Sequence, residues 1–315
     1  MPVPLFRRAD DTNAARRVRC GILVRVARGI YSPTDAWTAL SPGERYLARV
    51  HAVALSYPDA IFVGESGCAL RGLPVFGEPP DVHVMLPAPA TSRRAQGMRV
   101  HTSVRMPRHE EIGGIRVAAL DELAVDIAHT RHAAVALAVA DAALRADDGV
   151  RTDDLIELAA DRPSRRGIRS ARWVLARADG TRETALESVS AAAIEWLGFP
   201  TPDLQPWFRG PTPADDARVD FWWDDWRVAG ESDGVVKYSG AYGDAREALA
   251  ARNARDAVLL SRGVRATAHW GWRDVAASAQ LRAALVAAGL PIIRPASTAP
   301  LHTLAAALRG ADAPR

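Results

Sequence analysis

The chain has 315 residues, enough for two or three domains that each bury a core of their own. Its formal net charge of +3 is mildly basic, which permits nucleic-acid binding without requiring it. Two cysteines are too few for a disulfide scaffold, and no apolar run approaches the length of a membrane span. We therefore expect a cytoplasmic protein of α/β type (α+β overall) that has no membrane partner.

Residues 1–32 carry the strongest local charge bias, with seven arginines against two aspartates. The pattern predicts a short basic helix that Gly21 ends, followed by a two-stranded ribbon in which apolar and arginine residues alternate. Clustered arginines are suited to phosphate contacts. The alternative is a solvated hairpin edge that its arginines protect from aggregation. The candidate phosphate-binding residues are Arg16, Arg17, Arg19, Arg25 and Arg28.

Residues 33–180 read as a connecting α/β body. Ser41 and Glu44 form a capping box around Pro42, which predicts a helix from there to about Tyr57. Short strand patterns and one helix follow, and helices dominate the second half. The histidines of this region lack metal-ligand spacing, so we interpret them as structural or surface residues.

These two regions together resemble a known family. The basic helix and ribbon are similar to the recognition helix and wing of a winged helix-turn-helix, in partial form. With the strings RGIYSP, GESGCALRGLPVF and AVADAALR, the segment resembles AbiEi-type antitoxins of abortive-infection systems. That resemblance implies DNA binding, and it allows for a partner toxin.

The stretch from Arg218 to Asp233 reads as a hairpin. If Asp224 and Asp225 are a two-residue turn, Trp223 faces Trp226. Because side chains alternate along a strand, one face is then almost wholly apolar. That face holds Val219, Phe221, Trp223, Trp226 and Val228, and the other holds Arg218, Asp220, Glu231 and Asp233.

Three carboxylates on one face repel one another. At ~6 Å and an effective dielectric near 20, each pair costs about 3 kcal/mol. They must stay apart and hydrated, take up a proton or hold a cation, and hard oxygen ligands suit Mg²⁺ or Mn²⁺. Lys237, the single lysine of the chain, follows closely. Acidic residues beside a turn are also commonplace, so a metal site and a plain solvated face both remain open.

The order of segments around this hairpin resembles the PD-(D/E)XK superfamily, in the branch related to very-short-patch-repair endonucleases. The resemblance rests on Asp220, the Glu231-Ser232-Asp233-Gly234 string and Lys237, with a helix and strand on either side. It implies a restriction-endonuclease-like domain over 181–290 and a tail over 291–315. It further implies metal ligands Asp220, Glu231 and Asp233, a catalytic Lys237, an additional acidic Glu187 and basic positions Arg252 and Arg255. One departure is that the superfamily's Glu-x-Lys reads Glu-x-Asp here.

Two functions follow as expectations. The first is a divalent-metal-dependent DNA endonuclease of phage defence or DNA repair. The second is an antitoxin or transcriptional repressor in which the nuclease-like domain is a non-catalytic scaffold, because a fold alone does not establish activity. The oligomeric state is open.

Overall fold

The computed structural model describes residues 1–11, 13–86, 91–95, 97–103, 105–212, 215–233 and 245–309. Over these ranges the protein is mixed α/β, as the sequence predicts. Within the same ranges, no helix combines the length and apolarity needed to cross a bilayer.

The N-terminal unit is a small sheet with one short helix. Its strands hydrogen-bond in the order β1-β3-β2, all antiparallel. Ala14, Leu23 and Tyr31 form its small core. The predicted helix and ribbon are both present. Their bounds are β1 (Phe6–Arg7), α1 (Ala14–Arg19), β2 (Leu23–Ala27), β3 (Ile30–Pro33) and the following α2 (Thr34–Thr38).

The middle region contains a six-stranded mixed sheet in the order β6-β7-β5-β4-β9-β8. The predicted capping box is present: the Ser41 hydroxyl accepts from the Glu44 amide at 3.3 Å, and the Glu44 carboxylate accepts from the Ser41 amide at 2.8 Å. The elements are α3 (Pro42–Ser56), β4 (Ile61–Phe62), α4 (Gly64–Leu70), β5 (Val82–Met85), β6 (Arg93–Ala95), β7 (Met98–His101), β8 (His109–Ile112) and β9 (Ile115–Ala118).

A helical layer joins the middle region to the C-terminal one. Its members are α5 (Leu120–Thr130), α6 (Ala133–Ala146), α7 (Thr152–Ala160), α8 (Ile168–Leu175) and α9 (Ala185–Trp196). Helix α9, which opens the predicted nuclease-like domain, packs on α6, and one apolar core continues across residue 180. A buried ion pair between Arg182 and Asp141, 2.6 Å long, lies at this junction.

The C-terminal region is a four-stranded sheet in the order β10-β13-β14-β15, in which β14 and β15 are parallel. A separate ribbon pairs β11 with β12. The tail docks as a helix, with Leu304 and Leu308 buried. The elements are β10 (Asp203–Leu204), β11 (Trp207–Phe208), β12 (Ala217–Arg218), β13 (Phe221–Trp223), β14 (Val228–Ser232), α10 (Ala245–Ser261), β15 (Ala266–Trp270), α11 (Trp272–Ala277), α12 (Ala279–Ala287) and α13 (Thr298–Ala307).

The predicted hairpin turn was wrong in length. Trp223 pairs with Val228 instead of Trp226, because a four-residue connection replaces the two-residue turn. A two-residue turn of type I′ needs a positive φ at both central residues. In the longer connection only Arg227 takes a positive φ, of 51°. Because the register moves by two residues, Phe221, Trp223 and Val228 keep their common face. Trp226 lies in the connection, and Val219 packs instead with Trp222 and Ala229 in a second apolar cluster, because the chain bends at Asp220. The predicted assignment of these two residues to the strand face was wrong.

The apolar face of the hairpin closes over Gly230. A Cβ at this position would lie 2.6 Å from Cη2 of Trp270 and 3.0 Å from Cζ3 of Trp223. Both indole N–H groups have partners: Trp223 donates to the Pro200 carbonyl and Trp270 to the Ser190 hydroxyl, each at 2.8 Å. The sheet is thereby held against α9.

We expect Gly230→Ala to destabilise the protein by about 1–3 kcal/mol, because the added methyl group must displace two hydrogen-bonded indole rings. Urea unfolding monitored by circular dichroism measures this. Gly43→Ala in α3 is the matched control, since a Cβ there meets no atom within 4 Å. Equal midpoints for the two variants would contradict the packing argument.

Candidate functional site

The predicted acidic residues lie around the polar face of the hairpin. Asp220 directly precedes β13 and Glu231 lies on β14, close enough for the charge of Asp220 to act on Glu231. Glu187 lies in the first turn of α9, close enough for its charge and that of Asp220 to interact. The fold therefore brings three of the predicted carboxylates together.

Asp220 is fixed by hydrogen bonds on both carboxylate oxygens. Its Oδ2 accepts from the backbone amide of Ser232 at 2.8 Å and from the Ser232 hydroxyl at 2.7 Å. Its Oδ1 accepts from Nε2 of Gln205 at 3.3 Å, and the same nitrogen donates to Glu187 at 2.7 Å. Gln205, which the sequence analysis did not single out, thus bridges two acidic residues.

Glu187 has a structural role as well as a place in this cluster. Thr184 caps α9, because its hydroxyl oxygen accepts from the backbone amide of Glu187 at 3.2 Å. Oε2 of Glu187 in turn accepts from the backbone amide of Glu183 at 2.9 Å. Burial, and then the negative charge of Asp220, raise the pKa of Glu187. Its ionised form is consequently less favourable here than in water.

Glu231 is the most perturbed member of the cluster. Glu231 is only 8% exposed. Its Oε1 accepts hydrogen bonds from Nε and Nη2 of Arg255, at 3.1 and 3.0 Å. Burial raises its pKa, Arg255 partly offsets that effect, and Asp220 adds to it, so the pKa of Glu231 is about 7. Glu231 can therefore take up or release a proton near neutrality.

Asp233 is engaged with a second set of residues. Its Oδ2 accepts from Arg252 at 2.7 Å and lies 3.3 Å from Nδ1 of His269. His269 also contacts Asp256 at 3.0 Å through Nε2. Burial alone would lower the pKa of His269, but Asp233 and Asp256 together raise it. His269 and Asp256 have no distinguishing signal in the sequence, because β15 brings His269 beside Glu231 only in the folded sheet.

The donor chemistry of this cluster fits Mg²⁺ or Mn²⁺, which prefer carboxylate oxygens. Among the described residues, however, no three histidine, cysteine or acidic side chains are arranged to hold an ion. Mg²⁺ commonly takes only one or two protein carboxylates, with water and substrate phosphate completing its shell. Asp220 and Glu231 alone would meet that smaller requirement, and all three metal ligands stay a prediction.

The predicted basic residues fall into two groups. Arg252 and Arg255 lie in the site, on α10, as partners of Asp233 and Glu231. In the N-terminal unit, Arg17 pairs with Asp11 at 2.6 Å, whereas Arg16, Arg19, Arg25 and Arg28 are exposed. Lys237 lies outside the described residues.

Two histidines of the middle region, His83 and His101, pack against each other. Nδ1 of His83 lies 2.9 Å from Nε2 of His101, with the two rings stacked. Burial lowers the pKa of His83 to about 4 and also lowers that of His101. The His83 imidazole is therefore neutral at pH 7.

Comparison with known proteins finds relatives but no function. No protein-family model matches the chain. Two Mycobacterium tuberculosis proteins, the uncharacterised proteins MT2308 and Rv2248, are each 31% identical to it over 230 residues. The match covers 71% of this chain and 78% of each relative.

We expect Glu231→Gln to gain stability relative to wild type as the pH rises. Because the folded-state pKa of Glu231 is raised to about 7, its stabilising protonated form is fully present below pH 4.5 and is lost as the pH rises through 7. The difference in the free energy of unfolding should grow by up to about 3 kcal/mol between pH 4.5 and 8. Urea unfolding of both proteins at each pH measures it, and parallel pH courses would contradict the assignment.

Proposed function

The chain belongs to the family of these two mycobacterial proteins, and on that premise we propose that it binds DNA and hydrolyses the phosphodiester backbone with Mg²⁺ or Mn²⁺. The reaction would occur at the acidic site formed by Glu187, Asp220, Glu231 and Asp233. We further propose that it acts in the cytoplasm, in phage defence or DNA repair.

The observation that carries this proposal is the excess of negative charge at the acidic site. Among the residues that the structure describes, Arg255 pairs with Glu231 and Arg252 with Asp233, whereas the hydrogen-bond donors to Glu187 and Asp220, including the Gln205 amide that they share, are neutral. The raised pKa values of Glu187 and Glu231 are further signs that this charge is poorly compensated. A bound divalent cation would relieve the repulsion, and perturbed carboxylates gathered in one place are typical of functional sites.

Asp220 and Glu231 are the proposed metal ligands. When bound, the ion would polarise the phosphate and lower the pKa of an attacking water. Asp233 would complete the acidic cluster, and Glu187 would act as an outer partner through Gln205. Lys237 is proposed to orient or activate water.

Arg252 and Arg255 are proposed to contact the DNA phosphates. Both guanidinium groups border the carboxylates, and the side chain of Arg255 is about half exposed. A guanidinium can hold two phosphate oxygens at once, so each arginine can exchange a carboxylate for a phosphate when DNA arrives. The exchange would also free Oε1 of Glu231.

The basic N-terminal unit is proposed to deliver the protein to DNA. Its exposed arginines extend from α1 to the β2–β3 ribbon and suit sequence-independent phosphate contacts. Contacts of this kind position a protein on DNA without specifying a target sequence.

A second candidate is an antitoxin or transcriptional repressor with a partner toxin, in which the acidic site does no chemistry. The observation that favours it is that internal donors already satisfy the carboxylates. Ser232 binds Asp220 with two hydrogen bonds, and Arg255 binds Glu231 with two. Carboxylates whose hydrogen bonds are satisfied within the protein, such as Glu231 paired with Arg255, can have a purely structural role.

Nicking of supercoiled plasmid separates the two candidates. We expect wild type to nick with Mg²⁺ or Mn²⁺, and Asp220→Asn and Glu231→Gln to lose at least ~10²-fold in rate, because preorganised charge counts most in the transition state. Lys237→Ala should lose a similar factor while it keeps DNA binding. Glu157→Gln, at an exposed position of α7, is the control that should nick like wild type. Absence of nicking by wild type with both metals on several substrates would favour the repressor, and equal nicking by all variants would indicate a contaminant.

Salt dependence tests the N-terminal unit. Each alanine substitution at Arg16, Arg19, Arg25 or Arg28 should reduce the slope of log affinity against log salt by roughly one, because one phosphate contact is lost. Fluorescence anisotropy with a labelled duplex at several salt concentrations measures the slope. If the fourfold variant keeps the wild-type affinity and slope, another surface anchors the DNA.

A further inference from the structure

Trp207 is an aromatic side chain that the fold leaves in solvent. All nine tryptophans lie among the described residues, and Trp207 alone is more than half exposed, at 53%. Trp207 lies on β11. The next residue, Phe208, points inward and packs edge to face on Trp222, with the two ring centroids 4.9 Å apart. The alternation along the strand therefore turns Trp207 outward.

Two guanidinium groups lie against the indole of Trp207. Arg218, its cross-strand partner on β12, has Cζ 5.4 Å from the ring centroid, and Arg209 has Cζ at 5.5 Å. Arg218 pairs with Glu183 and Arg209 with Asp216. The Arg209 side chain is 74% exposed, and in the other pair Glu183 is 49% exposed. Ion pairs with an exposed member are weak, so phosphate groups can compete with the carboxylates.

This surface of Trp207, Arg209 and Arg218 borders the acidic site. The Arg218 carbonyl accepts from Nη2 of Arg255, and the same guanidinium binds Glu231. Asp220 follows Arg218 by two residues. A DNA strand whose backbone reached Glu231 would therefore have its neighbouring nucleotides over the exposed indole.

We propose that Trp207 stacks on an unpaired base of the DNA and that the preferred substrate is single-stranded or locally opened DNA. The proposal rests on the function proposed above. In an intact duplex the neighbours cover both faces of every inner base, so an unpaired base can stack on an indole without the unstacking cost that a paired one would require. Guanidinium groups around an exposed aromatic ring match the phosphates that flank such a base.

Binding to matched oligonucleotides tests this. Affinities of wild type, Trp207→Ala and Trp207→Phe are measured by anisotropy for a labelled single strand and for the blunt duplex of the same sequence, without metal. Trp207→Ala should weaken single-strand binding by about tenfold and duplex binding by less than about twofold, because one stacking contact is lost. Trp207→Phe should keep most of the affinity. Tyr57→Ala, at an exposed aromatic of the middle region, should match wild type.

The other outcomes overturn the inference. Equal losses on both DNAs, or no loss on either, would exclude base stacking while leaving DNA binding intact. If wild type binds neither DNA, the proposed function fails as well. If light scattering shows a wild-type oligomer that Trp207→Ala dissociates, while single-strand affinity is unchanged, the surface is a contact between protein copies instead.

Discussion

The arrangement of the C-terminal half depends on the meeting of two tryptophan rings over a glycine. Trp223 and Trp270 come from strands on either side of β14 and approach each other across Gly230, where any side chain would intrude. Their N–H groups are anchored to the Pro200 carbonyl and to Ser190 of α9. The apolar face of β13 and β14 is thereby fixed on α9, and the opposite face with its carboxylates is fixed as a consequence. The packing of the two indoles on Gly230 therefore also fixes the position of the next residue, Glu231.

That placement holds negative charge where water does little to screen it. Arg255 offsets part of the cost at Glu231, and Gln205 links Glu187 to Asp220 without adding charge. Such an arrangement opposes stability, as the raised pKa values of both glutamates show. Clustered carboxylates with raised pKa values are common at functional sites, and structural ion-pair networks produce them as well.

The hairpin shows how far sequence reasoning extends. Alternation within β13 and β14 is local, so the common face of Phe221, Trp223 and Val228 could be assigned before the fold was known. The bend at Asp220 and the four-residue connection could not, and for that reason the positions of Val219 and Trp226 were predicted wrongly. Gln205 and His269 reach the site through strands that pair with β13 and β14 only in the sheet, and Gln205 does so with a positive φ of 52°. Partners set by strand order leave no local pattern.

The buried pair of Arg182 and Asp141 bears on how this architecture can be rearranged. Asp141 belongs to α6 of the middle region, whereas Arg182 precedes α9 of the C-terminal region. Separating the two regions would leave the Asp141 carboxylate and the Arg182 guanidinium unpaired. It would also expose the face of α9 that packs on α6. The C-terminal half is therefore a poor candidate for a self-standing evolutionary module. Exchange of this half between proteins by recombination would require a recipient that supplies both an acidic partner and a matching helical surface.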